Sequence, residues 1–147
     1  MTRTGTGTVA RVKPSGAPEP SIDRLVVEFP SGIPGFETHR RFVLIASAEL
    51  SPLGCLKAVD ASDVSFLVLD PRLLFFNYDL TLSESERARI GADADEPLLW
   101  LAIVTITEKE ATANLRAPVV INPSKMIGCQ LIRDNDQYPV RFAINLG

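Results

Sequence analysis

From Arg24 onward the chain is governed by a two-residue period. Leu25, Val27 and Phe29 alternate with Arg24 and Glu28, which gives a strand one dry face and one wet face. Phe42 to Ala46, Cys55 to Val59 and Ser65 to Leu69 are further short apolar runs, separated by Pro, Gly, Ser and Asp, and they read as strands of a meander. Leu98 to Thr107 is apolar on both parities, so this strand is expected to be central and covered on both sides. Near the end, Ile127, Cys129 and Leu131 form one alternating run. Tyr138, Val140, Phe142, Ile144 and Leu146 form another, and the turn chemistry of Asp134-Asn135-Asp136-Gln137 between them predicts a hairpin.

Helical signals are sparse. Ser83-Glu84-Ser85-Glu86 fits a capping box, and Gly91 is placed to end the helix, which predicts a surface helix of about two turns. Many short strands without long helical crossovers exclude a parallel βαβ arrangement. The expected fold is all-β: a small antiparallel barrel-like single domain with one or two short surface helices. A barrel is preferred to a sandwich because closure leaves no unpaired edge.

Leu, Ile, Val and Phe make up 46 of the 147 residues, enough to fill one core. They are scarce in the first twenty residues, which are rich in Gly, Pro, Ser and Thr and carry +2 against −5 for the remainder. Residues 1–22 are therefore read as a flexible N-terminal tail, and residues 23–147 as the barrel domain. The longest uncharged apolar run, Pro97 to Thr107, is too short for a spanning helix, and no export signal is visible, so no membrane association and a cytoplasmic location are expected. A net charge of −3 offers no footprint for phosphate neutralisation, so direct nucleic-acid binding is not expected. A partner guided by charge would present a basic face.

No catalytic, cofactor-binding or metal-binding set emerges. The single histidine, His39, falls in a turn with no His or Cys cluster near it in sequence, and no Gly-x-Ser-x-Gly elbow is present. Cys55 and Cys129 lie 74 positions apart within apolar runs, and read as buried free thiols. The carboxylates fall mostly where strands end, as at Asp60 and Asp70, and Asp70-Pro71 has the form of a turn initiator.

Two stretches are more distinctive. Gly32-Ile33-Pro34-Gly35-Phe36-Glu37 suits a tight, partly buried loop, and Thr112 to Asn122 is a polar turn running into a buried strand closed by Asn-Pro. Together with Phe66-Leu67-Val68-Leu69-Asp70-Pro71 between them, and Gln130, Tyr138 and Arg141 after them, these stretches resemble the flagellar assembly factor FliW family. In that family a Pro-Phe...Leu-Gln-Ser run precedes the second stretch. Here it is Pro52-Leu53-Gly54-Cys55-Leu56-Lys57-Ala58, so Lys57 replaces a neutral amide. The tail lies outside the family pattern.

The resemblance implies partner switching without catalysis. Family members bind flagellin and alternatively bind the RNA-binding translational repressor CsrA, which relieves repression of flagellin translation. It leads us to nominate Gly35, Phe36, Lys57, Asp60, Asp70, Tyr78 and Asn114 as surface contacts on a monomer, with Phe36 expected to be buried because a wet aromatic forfeits about 1.5–3 kcal/mol. Two other readings compete: a small-molecule-binding barrel or enzyme with a site at the barrel mouth, and an oligonucleotide-binding barrel, which the low aromatic content disfavours.

Overall fold

The structure, a computed structural model, describes residues 22–134 and 137–145. Among these residues eight strands are present: β1 (Ile22–Glu28), β2 (Arg41–Ser47), β3 (Gly54–Ala58), β4 (Ser65–Leu69), β5 (Leu99–Ile106), β6 (Ala111–Asn122), β7 (Ile127–Gln130) and β8 (Phe142–Ile144). The tail assigned to residues 1–22 falls, apart from Ile22, outside the described residues.

Strands β1 to β6 form an antiparallel meander, each paired with the next. Because β7 pairs with both β6 and β1, seven strands close into a barrel. The closing seam is thin. β1 and β7 run parallel and are paired at Glu28 and Ile127 alone, with the Glu28 N–H donating to the Met126 carbonyl at 2.9 Å. The expectation that closure would leave no free edge fails here, because β1 upstream of Glu28 has no second neighbour among the described residues.

Alternation sorts the side chains into two cores. Val27, Phe29, Phe42, Leu44, Leu56, Val68, Val119 and Ile121 fill the barrel, with Phe29 and Phe42 meeting edge to face at 5.4 Å. The opposite face of β5 and β6, including Trp100, Ala102, Val104, Ala113 and Val120, forms a second core outside the barrel. That core is covered by the segment between β4 and β5, which contributes Tyr78 and Ile90. β5 is thus covered on both faces, as its sequence implied.

The covering segment carries helix α1 (Glu84–Arg89), with the full capping box between Ser83 and Glu86, and Gly91 follows at φ +63°. A 3-10 turn over Pro71–Leu73 precedes it, capped by the Asp70 side chain. Arg133 clamps the segment by donating to the carbonyls of Asp79 and Thr81 at 2.8 and 2.9 Å, with its guanidinium 4.9 Å from the Trp100 ring centroid. Buried Asn122 holds the far end, donating to the Ile90 carbonyl at 2.9 Å.

Among the described residues β7 and β8 do not pair with each other, so the predicted hairpin is not formed. β7 and β8 both run antiparallel to β6, and since β5 occupies one edge of β6 along its length, they share the other edge end to end. The described residues on either side of positions 135–136 keep one direction along β6. The hydrogen bonds from Leu131 N to Pro118 O, Arg133 N to Arg116 O and Leu115 N to Pro139 O trace that course.

Candidate protein-interaction surface

The loop between β1 and β2 is a chain of consecutive turns. The N–H groups of Gly32, Phe36 and His39 donate to the carbonyls of Phe29, Ile33 and Phe36 at 2.7–3.0 Å, and the Arg40 guanidinium ties the loop together through the carbonyls of Glu37 and Pro30. Gly35 takes φ +90° with open space where a Cβ would stand, and Gly32 takes φ +71° where a Cβ would meet the Glu37 backbone at 2.8 Å. The Gly35 N–H bonds the Glu37 carboxylate, and this bond, with one from Glu37's own N–H, holds that carboxyl below its ordinary value.

Phe36 corrects the sequence reading. Ile33, 2% exposed, takes the inward position, so Phe36 is left 39% exposed with its ring edge to face against Phe66 at 5.2 Å. The turn between β3 and β4 lies alongside: Asp60 accepts from His39 Nδ1 at 3.0 Å, and Val59 N donates to the Arg41 carbonyl. Val59 is 47% exposed. Lys57, half-buried, stands two residues before Val59 on the outer face of β3, across from Val43 and Ser65. Gly35, Phe36 and Asp60 are thereby gathered by two joined loops with Lys57 adjoining, and exposed apolar groups are set among charged ones. His39 belongs to this group although its sequence neighbourhood gave no sign of it, because its partner lies 21 positions away.

The other three nominated residues lie elsewhere. Asp70 caps the 3-10 turn, accepting from Arg72 N at 2.9 Å and pairing with the Arg72 guanidinium at 2.6 Å. Partial burial pushes its carboxyl up, but the Arg72 hydrogen bonds outweigh that and leave it below the usual value. Tyr78 is not a surface residue. It is 5% exposed, its hydroxyl donates to the Leu115 carbonyl at 2.6 Å, and its ring lies 4.6 Å from that of Tyr138. Burial pushes its phenol up to about 12.

Asn114 is half-buried and serves the backbone. Opposite β5 the register jumps from Leu101–Val119 to Ile103–Asn114, so β6 bulges over residues 115–118. The Asn114 Oδ1 accepts from the N–H groups of Arg116 and Ala117 inside that bulge, at 3.0 and 3.1 Å. Gln130 donates to the Ala117 carbonyl, and Arg116 to the Tyr138 carbonyl. The distinctive residues around Thr112 to Asn122 thus form one bulge and its supports.

A cavity of about 770 Å³ opens at the mouth formed by the start of β1, the end of β2 and the start of β5, with Leu25, Leu44, Leu53 and Leu101 in its lining and Arg24, Asp70 and Arg72 at the rim. Among the described residues no three His, Cys, Asp or Glu side chains are grouped to hold a metal ion.

The model of the FliW protein family matches residues 13–144. The chain belongs to the FliW family. The match begins within the N-terminal segment, so the expectation that this segment lies wholly outside the FliW pattern is corrected. The flagellar assembly factor FliW of Thermotoga maritima is 35% identical over 126 residues, covering 84% of this chain and 85% of that relative. FliW of Caldanaerobacter subterraneus is 38% identical over 122 residues, covering 81% of each. A crystal structure of the flagellar assembly factor FliW superposes with a TM-score of 0.74 at 30% identity, over 80% of this chain and 84% of that one. No described helix is long and apolar enough to cross a membrane.

Proposed function

We propose that this chain is a cytoplasmic, monomeric and non-catalytic flagellar assembly factor. In this reading it binds flagellin and, by exchanging partners, antagonises a CsrA-type translational repressor. The observation that carries the reading is the FliW match across residues 13–144, with relatives named flagellar assembly factors. The joined loops bearing Gly35, Phe36 and Asp60 are the contact surface we assign to it. An exposed aromatic supplies contact area, Asp60 offers a carboxylate to a basic partner, and the net charge of −3 favours such an encounter.

Burial pushes both Cys55 and Cys129 up, away from the thiolate form that a nucleophile needs. The test is titration of the purified chain with flagellin and with the CsrA-type protein of the same source, followed by calorimetry and by size exclusion of the mixtures. Stoichiometric complexes are expected, and added flagellin should release the repressor. Failure of both proteins to bind at micromolar concentration overturns the reading.

A further inference from the structure

Among the described residues, β1 presents an open backbone edge beside the cavity at the barrel mouth. The Phe29 N–H points to β2, where it meets the Arg40 carbonyl, whereas the Glu28 N–H points the other way, to Met126. By strand alternation the N–H and C=O groups of Arg24 and Val26 share the outward direction of Glu28. No described backbone group pairs with them, because contact with β7 ends at Glu28. Unpaired donors and acceptors in a row are completed by an extended chain, not by a helix or a small apolar ligand.

The side chains beside this edge define what the chain would carry. Leu25 lines the mouth cavity with Leu44, Leu53 and Leu101, while Val26, on the opposite face, is 45% exposed. An added strand would therefore place alternate apolar residues into the mouth and over Val26. Arg24 stands at the rim with no ion-pair partner among the described residues, whereas Asp70 and Arg72 neutralise each other at 2.6 Å. Among the described residues this leaves Arg24 as the uncompensated cation of the rim. We infer that the β1 edge is a strand-addition site for an extended segment of a partner protein, with alternating apolar residues and a carboxylate facing Arg24. The site is separate from the loops bearing Phe36 and Asp60, and it holds whether or not flagellin is the partner.

Selection of a random twelve-residue peptide display library against the immobilised full chain tests this directly. Enriched peptides are expected to alternate apolar residues and to carry an acidic one. Val26→Pro deletes an outward N–H without removing a β2 bond, and proline is tolerated on an edge strand. It should weaken the selected peptides at least tenfold at an unchanged melting temperature, whereas Val26→Thr should not. Arg24→Glu should weaken acidic peptides by a similar factor. Methylation of alternate peptide nitrogens, which leaves the protein untouched, should abolish binding even if the proline variant fails to fold. Three results overturn the proposal: no enrichment over a bare surface, binding that survives peptide methylation, or a dimer of the free chain that Val26→Pro splits, which would assign the edge to a second copy.

Discussion

Replacing Asn114 by alanine separates a supporting role from a contact role. The Asn114 Oδ1 satisfies two backbone amides, those of Arg116 and Ala117, inside the β6 bulge. A net intramolecular hydrogen bond is worth about 0.5–1.5 kcal/mol, and a buried donor left unpaired costs about 1–3 kcal/mol. Because Asn114 is only half-buried, water reaches part of the vacated space, and the loss should be about 1–2 kcal/mol. With an ordinary urea dependence for a domain of this size, the unfolding midpoint should fall by about 0.5–1 M. The melting temperature should fall by about 4–8 °C. Asn114→Asp keeps the acceptor and should recover most of the loss at neutral pH. Partner affinity, measured where each variant is fully folded, should be unchanged. A wild-type midpoint for Asn114→Ala, or a loss of affinity in the folded variant, would refute the assignment of this side chain to the bulge.

Tyr78 should make stability fall at alkaline pH: its phenol titrates at about 12 when folded against about 10 when unfolded, so its contribution is complete below pH 10 and is lost as pH rises toward 12. Tyr78→Phe should flatten that limb in denaturant titrations run from pH 9 to 12, and should also cost about 1–3 kcal/mol by orphaning the Leu115 carbonyl. Asp70 has the opposite sign, since its lowered carboxyl contributes stability above its ordinary value of 3.8 that is lost as pH falls through the folded value. Melting curves from pH 2 to 5 should show a shallower acid decline for Asp70→Asn than for the native chain. Phe36→Ala should cost about 1–3 kcal/mol, its partial burial plus one aromatic pair, whereas Phe42→Ala in the barrel should cost about 3–5 kcal/mol. Equal losses in urea unfolding would mean that Phe36 is part of the core. Gly32→Ala should destabilise more than Gly35→Ala, because only the first adds a clash with the Glu37 backbone to a positive φ, and matching midpoints would contradict that geometry.

Whatever depends on near neighbours was legible in the order of residues. Strand β4 spans Ser65–Leu69 as its apolar run implied, and the Ser83–Glu86 box caps α1, because side-chain alternation and capping act over two or three residues. The double-sided apolarity around Trp100 announced a strand covered on both faces for the same reason. The residues that resemble the FliW pattern were legible in sequence, but their physical roles were not. Only the tertiary structure placed Asn114, Gln130 and Tyr138 around one bulge, since the bulge exists only where β6 slips against β5. It alone decided that the residues after β7 continue along β6 and do not fold back, because turn chemistry marks a departure from a strand without fixing where the chain returns. It alone chose Ile33 over Phe36 for the inward place and joined His39 to Asp60, both being contests between side chains for the same space or partner. The β1 edge left open among the described residues belongs to the same class. An unpaired backbone group follows from how far the barrel's two ends overlap, a property of the closed ring that no local run of residues encodes.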